Sequence, residues 1–254
     1  MDVQAKMRVP GEFCVVHHDV RSFAGDLSAS DLGDPTDERH RALDGEFGIS
    51  TAVADSSAEI DAFLALKRWV RSRWNHGWSM DFRTVDDGLD ILRAAAEGAQ
   101  FCCGHYARVF ADCATALGWP ARVIGISIAG CEFPRNHNVG NVGHAVAEIW
   151  SNDHEKWVVM DPDLNCFYAR DGVPLSALEI RNAWLDGEAG DVDQVLDEPG
   201  FVLPTGDTIE LAKELTPGLN DFTEETVRLI FARFNRHRSM DYYARLRIDR
   251  KSVV

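Results

Sequence analysis

What this chain does not contain narrows it quickly. None of its apolar runs approaches the roughly 20 residues that a bilayer-spanning helix requires, and its first twenty residues carry no apolar stretch of the secretory kind. A cytoplasmic protein without a membrane partner is the expectation. Cysteine is sparse, six in 254 residues, irregularly spaced and without a CxxC pair, which argues against a disulfide scaffold. No glycine-rich loop suited to cradling phosphates occurs, and no internal repeat or low-complexity tract. Positive charge is also short: 26 Lys and Arg against 41 Asp and Glu leave a net charge of −15. So acidic a surface does not neutralise a phosphate backbone, and nucleic acid is not expected as a partner. The one basic stretch, Arg228 to Lys251, sets eight Lys or Arg against two Asp and reads as a tail that packs on the chain's own acidic domain or is solvated.

What is there, 45% apolar and 26% charged residues, suits one sizeable core with appended helices. Residues 1–56 read as an N-terminal extension: a strand near Glu12 to Val20, then an acidic stretch rich in Gly, Ser and Asp, mostly loop. From Ser57 to about Trp74, apolar residues at Ile60, Phe63, Leu64, Leu66, Trp69, Val70 and Trp74 keep a helical period. A short helix follows at Asp87 to Ala96. Another opens near Cys103, with Tyr106, Val109, Phe110, Cys113, Ala114 and Leu117 at spacings of three and four, Gly118 placed to end it and Pro120 forbidding continuation. "ARVIGISI", "HAVAEIW" and "KWVVMD" read as strands, and the order of helix then antiparallel strands is an α+β signature. Residues 57–170 form the expected core. Residues 171–254 read as a helical C-terminal extension, with capping boxes at Ser176 to Glu179 and Asp207 to Glu210, a linker between Gly187 and Gly200, and a further helix from Thr223.

Two adjacent cysteines open the central helix. A helix N-terminus lowers a thiol's pKa through its unpaired N–H groups and dipole, and Cys103 has that position; Gly104 beside it lets another molecule approach the backbone closely. Cys102, about 100° away around the helix, points elsewhere, toward the core. A thiolate also needs a base. Pairing "HAVAEIW" with "KWVVMD" about a turn centred on Asn152 and Asp153 puts His144 directly opposite Asp161, on the same face and about 5 Å away. A carboxylate there fixes the imidazole's tautomer. Cysteine, histidine and aspartate together form the arrangement of acyl-transfer enzymes.

These segments resemble the transglutaminase-like superfamily, whose fold is related to papain. "CCGHYARVFADCATALGWPARVIG" is similar to its Cys-Gly-x-Tyr/Phe-Ala helix and the Leu-Gly-x-Pro-Ala-Arg that follows, "GHAVAEIW" to its histidine strand, and "KWVVMDPD" to its Trp-x-x-x-Asp-Pro strand. The resemblance covers about Ile60 to Tyr168. It implies a transglutaminase-like, papain-like core in which a central helix bearing Cys at its N-terminus packs on an antiparallel sheet. It also implies nucleophile Cys103, because the nucleophile directly precedes the glycine, with base His144 and orienting Asp161. His105 and the doubled cysteine depart from the pattern without removing a required group.

The Cys103 N–H is one candidate oxyanion donor, with Gln100, Trp74 or Trp78 for the second; Gly104 and Asn165 complete the candidate substrate positions. The expected chemistry is attack on an amide or peptide bond through a thioester, hydrolytic by analogy with peptidases of the superfamily. The alternatives are transfer to an amine, or a module that binds peptide or glycan without turnover. A peptide, protein or amide substrate is the expected partner, and no cofactor is expected, since a Cys–His pair generates its own nucleophile. "DPDLN" offers Asp161, Asp163 and Asn165 at calcium-loop spacing, but Cys166 and Gly172 stand where the loop needs Gly and Glu. A zinc set of Cys102, Cys103, His105 and His144 fails because consecutive cysteines chelate one ion poorly.

Overall fold

The computed structural model describes residues 37–79, 85, 87–127, 143–204, 206–215, 223, 225, 228, 243 and 245–248. The strand expected near Glu12 to Val20, the loop "NHNVGNVG" up to Val142 and most of the helix expected from Thr223 lie outside them.

The acidic stretch expected to be loop is helical from residue 38. Helix α1 (Glu38–Phe47) is capped by the Asp37 carboxylate on the Arg39 N–H, and Gly48, at a left-handed φ of 64°, hands over to α2 (Ile49–Val53). Their apolar faces are thin, but Leu43 and Ile49 are buried in the main core, so tertiary burial sustains both. Both helices thus contribute side chains to the main core. Helices α3 (Glu59–Arg71) and α4 (Gly88–Ala96) follow the expected period, α4 with Asp87 as its cap. Helix α5 (Cys103–Ala116) runs through the centre, with Tyr106, Val109, Phe110, Cys113 and Ala114 all buried. It packs on β1 (Ala121–Ser127) and β2 (Gly143–Ser151).

The sheet continues through β3 (Lys156–Asp161), β4 (Cys166–Arg170), β5 (Val173–Pro174), β6 (Asp193–Leu196) and β7 (Arg245–Ile248). Its order is β5-β4-β3-β2-β1-β7, every pair antiparallel, with β6 also on β4. The C-terminal part is therefore more than appended helices. Strand β6 forms inside the stretch expected to be a linker, and β7 closes the far edge. Helix α6 (Ala177–Leu185) has the expected capping box from Ser176 to Glu179. Helix α7 (Gly206–Leu215) starts two residues early, leaving Asp207 in its first turn instead of at the cap.

The β2–β3 register departs from expectation in a way that matters for the site. Ala147 pairs with Met160 and Ser151 with Lys156, so the turn spans 152–155 and is centred one residue further on. The cause is distant in sequence: Glu59 of α3 accepts hydrogen bonds from Ser151 Oγ (2.6 Å), Asn152 N (3.1 Å), Asn152 Nδ2 (3.0 Å) and Asp153 N (3.2 Å). Glu155 completes the turn at a left-handed φ of 51°. Moving the turn centre by one residue slides the pairing by two, a whole side-chain repeat, so each residue keeps its face. His144 is diagonal to Asp161, not directly opposite.

Glu59 gives a testable stability effect. Its carboxyl pKa is lowered: burial pushes it up, and the hydrogen bonds from Ser151, Asn152 and Asp153 outweigh that. The charged form's stabilisation is therefore complete above the ordinary value of 4.5 and is lost as the pH falls through the lower folded value. Glu59→Ala should destabilise the fold at neutral pH by about 1–3 kcal/mol, read as an unchanged urea slope with a lower midpoint, and the difference from wild type should shrink in acid.

Candidate active site

Three elements converge at the N-terminus of α5. Cys102 is its N-cap, extended at φ −88°, ψ −178°, and no side chain caps the turn. The first N–H groups therefore point outward, as helix starts leave them. The approach to this turn is fixed from the opposite side. The Trp74 indole N–H donates to Phe101 O (3.1 Å) and Gly77 N donates to the same oxygen (3.2 Å). Ser79 N donates to Gln100 O (2.9 Å), while Gln100 N donates to Ser79 Oγ (2.6 Å). Residues 74–79 thus run beside 100–101 and bring His76 and Trp78 to the site.

His144 stands near the start of β2 and Asp161 at the end of β3, both buried. His144 Nε2 lies 2.7 Å from Asp161 Oδ2, and Asp161 Oδ1 accepts the Leu164 N–H (3.0 Å), closing the "DPDL" turn. One carboxylate therefore both builds the turn and holds the imidazole through Nε2. The Cys103 sulfur hydrogen-bonds the His144 ring. Burial pulls the His144 pKa down, but the charge and hydrogen bond of Asp161, aided by Cys103, hold it well above its ordinary value.

Cys102 does not enter the core. It is half-buried, its sulfur 3.6 Å from His105 Nδ1 and hydrogen-bonded to Cys103. That bond makes the two thiols compete for one negative charge. Cys102 is drawn down by the Cys103 hydrogen bond and by the Gly104 N–H, against burial; Cys103 is pushed up by the same bond and by burial, against the pull of His144.

A second histidine–aspartate pair adjoins the first. His76 Nδ1 lies 2.8 and 2.9 Å from the two oxygens of Asp163, both residues buried. Ligand atoms of Cys103, His144 and Asp163 all lie within 4.8 Å of one another. No sequence pattern assigns His76 a role, and Asp163 enters there only as a ligand of a calcium loop that fails. The one local signal was that "DPD" presents two carboxylates at the end of a strand.

The other candidates separate clearly. A Cβ built on Gly104 meets no atom of the described residues within 4 Å. Trp78 is half-exposed and sits edge-on to His76 at 5.1 Å; Gln100 is half-buried, with its backbone tied to Ser79. Trp74 is buried, stacked on Tyr106 at 4.2 Å with its N–H committed to Phe101 O, which removes it as an oxyanion donor. Asn165 is also structural. At a left-handed φ of 53°, it is buried, donates from Nδ2 to Pro199 O (3.0 Å), and accepts at its backbone oxygen from Lys67 Nζ (3.1 Å). With Lys67 on Asp197 (2.8 Å) and Arg71 on Gly200 O (2.9 Å), these bonds hold the segment that sets Phe201 against His76 at 5.4 Å.

Comparison with known families bears on this geometry. A model of the transglutaminase-like superfamily matches residues 49–162, which take in Cys103, His144 and Asp161. Among solved structures, the chain is similar to a candidate cysteine protease from Cytophaga hutchinsonii, at 14% identity and a TM-score of 0.40, over 68% of this chain and 54% of that one. It is similar also to a TGase, at 16% identity and a TM-score of 0.33, over 59% of this chain and 34% of the other. The match thus spans about half of the first protein and a third of the second. No curated protein matches the chain. Among the described residues, no helix is long and apolar enough to cross a membrane.

Proposed function

We propose that this chain, whose residues 49–162 match a model of the transglutaminase-like superfamily, cleaves an amide or peptide bond through a thioester on Cys103, with water as the acceptor. The observation that carries this reading is the placement of Cys103 at a helix N-terminus beside an imidazole whose far nitrogen is held by Asp161 at 2.7 Å. His144 Nδ1 takes the Cys103 proton as the sulfur attacks the carbonyl carbon. The same proton passes to the leaving nitrogen as the C–N bond breaks, releasing an amine and leaving the acyl group on sulfur. Water then attacks the thioester, His144 accepting its proton and returning it to Cys103 as the acid departs. Asp161 keeps the imidazole in the tautomer each step needs.

Charge on the tetrahedral intermediate faces the uncapped start of α5, where the Cys103 N–H serves as one oxyanion donor and Trp78 or Gln100 as the neighbouring side-chain candidate. Gly104, whose added Cβ would meet no described atom within 4 Å, is the side from which a peptide or protein amide would approach the sulfur in this reading.

A panel of peptides, protein glutamine amides and glycopeptides, assayed with and without an added primary amine, tests the proposal. Released acid with no amine incorporated is the expected result. Incorporation of the amine would assign the thioester to transfer, and the absence of both turnover and a trapped thioester would leave a binding module.

A further inference from the structure

Hydrolysis by a Cys–His–Asp unit leaves Asp163 unexplained. A carboxylate within 4.8 Å of the attacking sulfur carries the same sign as the thiolate and opposes its formation. The fold nevertheless buries Asp163 completely and braces both of its oxygens with His76. That placement suits a positive charge in the space between the groups.

We propose that Cys103, His144 and Asp163 form a binding site for a divalent cation of the zinc class, and that occupancy reversibly blocks the nucleophile. The blocking half rests on the reading of Cys103 given above; the site itself rests on geometry. One sulfur, one imidazole nitrogen and one carboxylate oxygen are the donor types zinc accepts, and three protein ligands with an open fourth position is a common arrangement for it. Helix α5, strand β2 and the turn after β3 each supply one. The two ligands other than sulfur are already oriented by outer partners: Asp161 holds His144 Nε2 at 2.7 Å, so that Nδ1 is the nitrogen that would meet the ion, and His76 holds Asp163. Such carboxylate and histidine supports are what fix ligand orientation in zinc sites. Cys102 is not part of the set, its sulfur being turned to His105.

Binding converts the Cys103 thiol to a metal-bound thiolate and releases its proton, so affinity rises with pH. The bound ion occupies both the sulfur and the nitrogen that the proposed cleavage needs, and a chelator restores them.

The test uses the full chain with zinc or cobalt(II) as the only added probe. Cobalt should give a thiolate-to-metal charge-transfer band at one equivalent, and zinc should protect Cys103, identified by mass spectrometry, from iodoacetamide. Asp163→Asn should weaken zinc at least about 10-fold. His76→Gln, which leaves every ligand in place, should weaken it about 10- to 100-fold, as loss of an outer partner does. Circular dichroism establishes that each variant folds, and His76→Gln decides the matter if Asp163→Asn does not. Absence of the cobalt band and of zinc protection would overturn the site, as would unchanged zinc affinity in a folded Asp163→Asn or His76→Gln. Both readouts are independent of turnover, so an inactive wild-type protein that still binds cobalt through Cys103 would refute the proposed cleavage and leave the metal site standing.

Discussion

Replacing Cys103 by alanine should lower amide turnover by about 10⁶-fold, the loss seen when the nucleophile of such a unit is removed, while Cys102→Ala should stay within a few-fold of wild type. The contrast is informative because the two sulfurs are neighbours in sequence and hydrogen-bonded to each other. Only Cys103 also bonds to His144. Cys102→Ala has a second expected consequence. It removes the hydrogen bond that pushes the Cys103 pKa up, so the pH profile for alkylation of Cys103 should move to lower pH. A Cys102→Ala variant as inactive as Cys103→Ala would reverse the assignment.

His144→Ala should be nearly as damaging as loss of the sulfur, since no other group in the proposed cycle takes the thiol proton and delivers it to the leaving amine. Asp161→Asn should cost less, about 10⁴-fold in kcat, because its part is to hold the imidazole and not to move a proton. The side chain has a second duty through Oδ1, which accepts the Leu164 N–H; asparagine can keep that bond with its own oxygen. The variant should therefore fold with wild-type thermal stability to within about 1 kcal/mol while losing activity. Steady-state kinetics on the folded variants separates these outcomes, and an Asp161→Asn enzyme with wild-type kcat would remove Asp161 from the mechanism.

Local patterns made the central part of the molecule legible. Helix α5 and the box at Ser176 to Glu179 are set by residues within a few positions of one another, and both appear where the periodicity and the capping residues put them. Features set by distant contacts were not legible. The helices α1 and α2 sit in a polar stretch and exist because Leu43 and Ile49 reach the core. Strand β6 forms in a segment that reads as a linker because β4 offers it an edge. The β2–β3 turn moved because Glu59, 92 residues before Ser151, grips its backbone; the pairing of His144 with Asp161 survived only because the slide was a whole side-chain repeat. Nothing near Asn165 in the sequence shows that its amide donates to Pro199 O, 34 residues on. The His76–Asp163 pair joins residues 87 positions apart, and no local pattern connects them.

The central claim is that Cys103 carries the acyl group. An acid-quenched reaction with a cleavable amide, digested and read by mass spectrometry, tests it most directly. The expected result is an acyl adduct, labile to hydroxylamine, on the peptide containing Cys103; the adduct should persist in Cys102→Ala and vanish in Cys103→Ala. An adduct mapped to Cys102, or turnover undiminished in Cys103→Ala, would contradict it.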